Sequence, residues 1–323
     1  TCTRMRRAEI VRRVTELTGW ALIGSVGLVM STQAIGWNGS RSVATLQSLT
    51  PYGIPVVLAT AAVAVWRRRE ALATTGALVG IGAFVLTVPL VVPPGQAGPA
   101  PAAVGLRAAS VNLLFSNPVV ADAADVLIDL DPDVIVFGEY TSEHHETLAL
   151  HPLAERYDHR LDEQGPLAGG MAVWSKFPIE AQDTGLEIGR TVDAVVTGPD
   201  GPIRLFGVHP PTPIFSFPKW VRGLEQIGDA VSRASQPTLV IGDFNASYWH
   251  PVFRDLLRLD LTDAHIADGS GWSTSWPTDE VVPPFVRLDH ALTGNGLVST
   301  RVEDFRVPGS DHVGFVVTVT PSG

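Results

Sequence analysis

The stretch "PTLVIGDFNAS", residues 237–247, decides how the rest of the chain is read. Thr238 to Ile241 is apolar and β-branched over the length of a short buried strand, and Gly242 releases the chain at its end. Asp243 and Asn245 are thereby expected at a strand terminus. In open α/β sheets, side chains at the carboxyl ends of strands project into a crevice where ligands bind. A turn that merely caps the next helix would use the same two residue types, so this stretch alone leaves both readings open.

The pattern recurs along the chain. "SVNLLF" puts Asn112 where an apolar run stops, "DVIVFGEYT" does the same for Glu139, and "IRLFGVHPP" for His209. "RLDHALTG" carries Asp289, and "GSDHVGFVV" carries Asp311 and His312. One acidic strand end is unremarkable, but six such segments point to convergence on one crevice. Between them, helical spacing is expected over Asn117 to Leu130, from about Pro218 to Arg233, and around Pro251 to Leu259. The set combines carboxylates, amides and imidazoles without a thiol, and hard oxygen ligands suit Mg²⁺ or Mn²⁺ better than Zn²⁺. There is no CxxC, Walker A or GxGxxG motif and no repeat at solenoid periods.

Charge separates two physically different segments of the 323 residues. Residues 1–103 hold nine arginines against three glutamates, +6, which leaves 14 basic against 30 acidic residues, -16, in the remainder of a chain whose total is -10. Leu17 to Trp37, Leu49 to Trp66 and Ala71 to Val92 contain no charged residue, and each is roughly long enough to cross a ~30 Å hydrocarbon core. Three transmembrane helices are therefore expected within a membrane domain at 1–92; a signal peptide explains one such stretch, not three. The first is the weakest, with Thr18, Ser25, Ser31, Thr32 and Gln33. Arg4, Arg6, Arg7, Arg12 and Arg13 precede it, and Arg67, Arg68 and Arg69 separate the second and third, whereas the intervening loop holds Arg41. The positive-inside rule then makes the amino terminus cytoplasmic and everything after Val92 extracytoplasmic, in a multi-pass protein of the cell membrane. "PPGQAGPAPAA", residues 93–103, reads as a semi-rigid linker before a domain at 104–323. Cys2 is the single cysteine, so no intrachain disulfide forms. The opening Thr in place of Met suggests a trimmed amino terminus.

"SVNLLF", "DVIVFGEYT", "GGMAVWSKFPI", "FGVHPPTP", "LVIGDFNAS", "GWSTSWP" followed by "RLDHAL", and "GSDHVGFVV" resemble, in order, the successive motifs of the endonuclease/exonuclease/phosphatase superfamily, the deoxyribonuclease-I-like fold. The resemblance covers about residues 105–320, and the three preceding spans are similar to those of membrane-anchored bacterial members. It implies a four-layer α/β sandwich, two packed mixed β-sheets flanked by helices, with a Mg²⁺- or Mn²⁺-dependent phosphoesterase site at one edge. On that resemblance Glu139 is the main metal ligand, with Asn112 and Asp311 completing or supporting it. Asp243 orients or deprotonates the attacking water, Asn245 binds a phosphate oxygen, His209 and His312 contact the phosphoryl group, and Asp289 hydrogen-bonds His312. The chemistry wants these types independently: in-line hydrolysis of a phosphate ester needs a cation on the non-bridging oxygens and donors aimed at developing charge.

The substrates this leaves are a lipid headgroup, an envelope phosphodiester or a nucleotide. Broad duplex nucleic-acid binding is disfavoured, since a -16 domain lacks the Lys/Arg stripe it depends on. A nuclease acting on extracellular nucleic acid and a catalytically silent scaffold on the same fold are the rival readings. His144, His145 and His151 are expected on a solvated surface, and His290, next to Asp289, on the opposite face of its strand. Ser175 and Lys176 suit a structural strand end or a phosphate contact; Trp272 and Trp276 suit a pocket rim or loop packing. "PPTPIFSFPKW", 210–220, reads as a Pro-rich loop that either lines a cleft, touches lipid headgroups or packs on its own domain.

Overall fold

A computed structural model describes residues 2–92, 105–183, 185–186, 190–278 and 281–322, so the linker expected at 93–103 lies outside the described residues. The chain divides into two compact units, Thr1–Pro89 with Trp249–Pro251, and Leu90–Tyr248 with Val252–Gly323.

The first unit contains α1 (Cys2–Ala34), α2 (Arg41–Ser48), α3 (Thr50–Trp66) and most of α4 (Glu70–Val91). Glu9–Ala34 and Glu70–Val91 are each long and apolar enough to cross a membrane. The middle span expected at 49–66 differs: α3 alone is 17 residues, and it meets α2 at a bend of 65°, so a third crossing requires the bent pair to act as one span. Pro51, in the first turn of α3, has no N–H to donate to the α2 ladder, which separates the two helices at Leu49. The hydroxyls that weaken the first span are satisfied within it. Thr18, Ser25 and Ser31 donate to the carbonyls of Val14, Leu22 and Gly27 at 2.9, 3.0 and 2.8 Å. Ile23, Val57, Ala64 and Leu72 form the small core of this unit.

The second unit runs β1 (Leu106–Asn112), α5 (Val120–Leu130), β2 (Val134–Gly138), α6 (Ser142–Ala149), β3 (His159–Glu163), β4 (Met171–Ser175), β5 (Ile179–Ala181), β6 (Arg190–Gly198), β7 (Gly201–His209), α7 (Pro213–Arg233), β8 (Thr238–Asp243), α8 (Pro251–Leu257), β9 (Thr262–Asp263), α9 (Ala264–Ala267), β10 (Asp289–Gly294), β11 (Leu297–Arg306) and β12 (Val313–Pro321). The strands form two six-stranded mixed sheets, ordered β11-β12-β1-β2-β4-β3 and β5-β6-β7-β8-β10-β9. In each, one central pair is parallel, β1 with β2 and β7 with β8, and the other strand pairs among the described residues are antiparallel.

Strand alternation divides the apolar side chains between layers. Ala108, Val134, Val136 and Val173 of one sheet meet Val192, Leu205, Leu239, Ile241 and Ala291 of the other in a shared core. Their neighbours Ala109, Val111, Ile135, Phe137 and Trp174 face the other way and pack with Val120, Ala123, Ala124 and Leu127 of α5. On the second sheet the alternates Phe206, Val208, Val240 and Leu292 are equally buried, and α7 buries Trp220, Leu224, Ile227 and Val231 at helical spacing.

Two departures from the sequence reading are local. The Pro-rich stretch expected to be a loop opens α7: Thr212 caps it through the Ile214 amide, Pro213 occupies the first turn, and a kink at Ser216 separates that turn from the rest. His144 is buried, not solvated, because its Nδ1 lies 3.1 Å from the Glu139 carbonyl; burial lowers its pKa and favours the neutral ring. His151 is also largely covered, pairing with Asp125 at 3.3 Å, while His145 stays partly open beside Tyr140 Oη at 3.1 Å.

Candidate active site

Sheet topology explains why the polar strand ends converge. Parallel strands β1 and β2 end side by side at Asn112 and Gly138, with Glu139 next; β7 and β8 end at His209 and Asp243. The antiparallel partners begin at that same edge: Asp289 opens β10 opposite Asp243, and Asp311 and His312 lead into β12, which runs against β1. Residues far apart in the chain are thereby brought to one edge of the two sheets.

Asp243 is the hub. The Asn112 side-chain Nδ2 donates to Asp243 Oδ2 at 3.1 Å and to Glu139 Oε1 at 3.2 Å. His209 Nε2 lies 3.5 Å and His312 Nε2 3.8 Å from the same Asp243 oxygen, and the Asn245 amide donates to Oδ1 at 2.7 Å. Behind it, His312 Nδ1 is 2.8 Å from Asp289 Oδ2. Asn245 places its side-chain Nδ2 3.0 Å from the Pro210 carbonyl, which leaves its second N–H for another acceptor.

The backbone is held under strain here. Glu139 and Asn245 have φ of 56° and 47°, a left-handed conformation that asparagine tolerates and glutamate does not favour. Two glycines are needed for close approach. Gly242 has φ 146°, and a Cβ on it would fall 2.2 Å from the Val208 carbonyl oxygen; one on Gly170 would fall 1.8 Å from the Tyr140 carbonyl oxygen. Thus the Gly of "GDFN" lets β8 run close to β7, and Gly170 lets β4 start against the backbone that carries Glu139.

Burial and proximity separate the charges. Burial raises the Asp243 carboxyl, with the His312 charge opposing and Asp289 adding to the rise. Burial would also raise Asp289, but the charge and hydrogen bond of His312 hold it below its ordinary value. For His312, burial alone would lower the imidazole; the Asp289 and Asp243 carboxylates overturn that and raise it to about 10. Asp243, Asp289 and His312 offer ligand atoms within 4.8 Å of one another and could hold a metal ion. A protonated imidazole has no lone pair to give a cation, so a metal held by all three groups requires His312 to release its proton.

Two further carboxylates stand at this edge, Asp311 and Glu139. Asp311 Oδ2 accepts from Trp276 Nε1 at 2.9 Å, while its Oδ1 is buried with no hydrogen-bond partner among the described residues. Glu139 Oε2 accepts from the Phe115 amide at 2.8 Å. Buried carboxylate oxygens with spare lone pairs are the donors a hard divalent cation takes. Asn112 turns its Oδ1 to the Leu114 amide at 3.0 Å, and its backbone carbonyl accepts from Ser310 Oγ at 2.7 Å, beside Asp311.

Some supporting residues escaped the sequence reading. Ser275 Oγ accepts from the Leu288 and Asp289 amides at 2.9 and 3.3 Å, which fixes the start of β10. Ser310 Oγ also accepts from the His312 amide at 3.0 Å. Both stand inside motif stretches, "GWSTSWP" and "GSDHV", but nothing in a serine's neighbours says which backbone it will meet. Ser175 and Lys176 lie at the far end of β4, paired with Val134 and with Asp131, and away from the site. His290 points away, 2.6 Å from Asp263 and 3.0 Å from the Ala246 carbonyl, as strand alternation predicts.

Residues 109–312 match the family model described as Endonuclease/Exonuclease/phosphatase family, and the chain belongs to that family. Solved structures share the fold at low identity. D. rerio TDP2 complexed with single-strand DNA product is 14% identical with a TM-score of 0.57, covering 68% of this chain and 100% of its own. A 3' phosphatase, NExo, from Neisseria bound to product DNA hairpin is 18% identical at 0.53, covering 67% and 99%. An AP endonuclease from Archaeoglobus fulgidus is 16% identical at 0.52, covering 66% and 98%. Comparison with curated protein sequences yields no significant match.

Proposed function

We propose that this chain is a membrane-anchored, divalent-metal-dependent phosphoesterase. In this reading residues 1–92 form a membrane domain of three crossings, the bent α2–α3 pair being the middle one, and 104–323 form an extracytoplasmic catalytic domain. The family membership supports the reaction class, and the placement of Arg67, Arg68 and Arg69 supports the orientation. The observation that carries the proposal is Asp243, a buried carboxylate whose pKa is raised, with Asn112, His209 and His312 within 3.1, 3.5 and 3.8 Å.

Glu139 and Asp311, supported by Asn112, would hold Mg²⁺ or Mn²⁺, which when bound neutralises charge on the phosphoryl oxygens. Asp243 takes the proton of the attacking water, a role its burial and raised pKa favour. His312, kept charged by Asp289, donates to a phosphoryl oxygen as negative charge accumulates there, and a group already protonated is not the base. His209 and the remaining N–H of Asn245 reach the same oxygens. Asp289 keeps the His312 ring oriented.

The DNA named for the fold neighbours is not the substrate this domain favours, because a surface of -16 repels a polyanion. The test is hydrolysis of bis(4-nitrophenyl) phosphate and 4-nitrophenyl phosphate by the detergent-solubilised full chain with Mg²⁺ or Mn²⁺, beside Asp243→Asn and His312→Ala. Expected are turnover by the parent chain and a loss of roughly a hundredfold or more in each variant. A parent inactive on both esters with either metal overturns the proposal. Orientation is read by protease accessibility in intact cells, where protection of residues 104–323 until lysis reverses it.

A further inference from the structure

The edge that carries the site also carries apolar side chains that the fold leaves uncovered. Phe215 is 84% exposed, Leu167 68%, Ile214 52% and Phe115 40%. Scattered exposed hydrophobics are ordinary, but these four are tied to one edge. Phe115 donates its amide to Glu139. Ile214 and Phe215 occupy the first turn of α7, shortly after His209, and Pro210 between them accepts from Asn245. Leu167 lies in the turn from Gly165, whose amide donates to the Tyr140 carbonyl at 3.2 Å, to Gly170, whose carbonyl accepts from the Tyr140 amide at 3.0 Å. Arg190 stands opposite His209 in the β6–β7 register, and a methyl group placed on Gly169 would lie 3.6 Å from its guanidinium.

The backbone presents these side chains outward. Beyond the kink at Ser216 (φ -147°, ψ 79°), Phe217 packs 5.7 Å from the buried Trp220 ring, whereas Ile214 and Phe215 before it remain exposed. Leu167 sits at φ 52°, a conformation with no benefit to a leucine.

The rest of the chain says what covers them. Two of its helices are long and apolar enough to cross a membrane. Fourteen residues lie between Val91 and Leu106, a tether of at most about 50 Å. A bilayer is therefore held within reach of this domain at an effective concentration that a free partner does not match. Charge sets the mode of attachment. A -16 domain is repelled by an anionic surface, so apolar insertion must drive docking, with Arg190 at headgroup level.

We infer that this rim docks on the bilayer, and that the ester cleaved at the Asp243 site is a phosphoester lipid presented there. The substrate half rests on the phosphoesterase reading; the docking half does not.

Two measurements on the full chain in phosphatidylcholine vesicles test it. With Cys2→Ser as background, an environment-sensitive fluorophore is placed at Phe215→Cys, at Leu167→Cys or, for reference, at Asp129→Cys. Asp129 is in the last turn of α5, whose Leu130 carbonyl meets Arg107 at the start of β1, at the opposite end of the sheet. Nitroxide lipids are expected to quench both rim probes and not the reference, in low and raised salt. Rim probes quenched no more than the reference overturn the docking, and so does shielding that follows protein density instead of nitroxide content, which would mark a second copy as the occupant. In the second measurement, Leu167→Ser with Phe215→Ser should lower hydrolysis of phospholipid in the vesicle about tenfold and leave bis(4-nitrophenyl) phosphate turnover within about twofold. Equal loss on both, or on neither, overturns the lipid assignment. A parent chain that cleaves neither ester sinks the phosphoesterase reading and the substrate half together, while the quenching result still decides the docking.

Discussion

Asn112 and Asp243 stand on different sheets, 131 residues apart in the chain, and are joined by a 3.1 Å hydrogen bond from the Asn112 amide. The same Nδ2 reaches Glu139 at 3.2 Å, so one neutral side chain holds two buried carboxylates in place. Asn112→Leu removes both donors and leaves the acids facing each other. Chemical denaturation of the solubilised chain should show a loss of about 1–3 kcal/mol, and an unchanged midpoint would show that the bridge contributes nothing.

Asp289 and His312 are the second pair, 2.8 Å apart. Asp289→Asn keeps the shape but removes the charge that holds the ring protonated and oriented. Phosphoester turnover should fall roughly a hundredfold to ten-thousandfold. A rate within twofold of the parent would mean that His312 does not act as a charged donor.

Stability at low pH reports on Asp263. Burial would raise this carboxyl, but the His290 charge and hydrogen bond outweigh it and hold the group at about 2, below its ordinary 3.8. The unfolded chain then binds the proton more readily, so the contribution is complete above pH 3.8 and is lost as pH falls through about 2. The loss amounts to about 2 kcal/mol, and Asp263→Asn should flatten that part of the stability profile. A profile of equal slope in that variant would assign the acid sensitivity elsewhere.

Metal binding can be read without catalysis. Mn²⁺ titration followed by electron paramagnetic resonance should show a site that Glu139→Gln or Asp311→Asn weakens about tenfold or more, and chelation with EDTA should abolish turnover until Mg²⁺ is restored. If both variants bind as the parent does, the cation sits on other groups, and the Asp243, Asp289 and His312 trio becomes the place to look.

Gly242→Ala tests the approach of β8 to β7. The added Cβ would sit 2.2 Å from the Val208 carbonyl oxygen at a φ of 146°. Thermal unfolding should show destabilisation of about 1–3 kcal/mol or more. A variant as stable as the parent would mean that the two strands part without cost.

Much of this protein is written along the chain. Strand ends at Asn112, His209 and Asp243 are legible because an apolar β-branched run followed by a polar residue is a local signal. The outward turn of His290 follows from strand alternation in the same way. Apolar length alone marks Glu9–Ala34 and Glu70–Val91 as able to cross a membrane.

Other features exist only after folding. The bend of 65° between α2 and α3 depends on how two helices meet at Pro51, which hydropathy does not register. Burial of His144 depends on the Glu139 carbonyl arriving beside it, and Trp276 becomes a partner of Asp311 only when chain 35 residues further on returns. Composition and periodicity act over a few neighbours and can place each polar residue on its own element. Which of those residues share a proton or face a cation is decided by strand order and register, because charges couple through space and not along the chain.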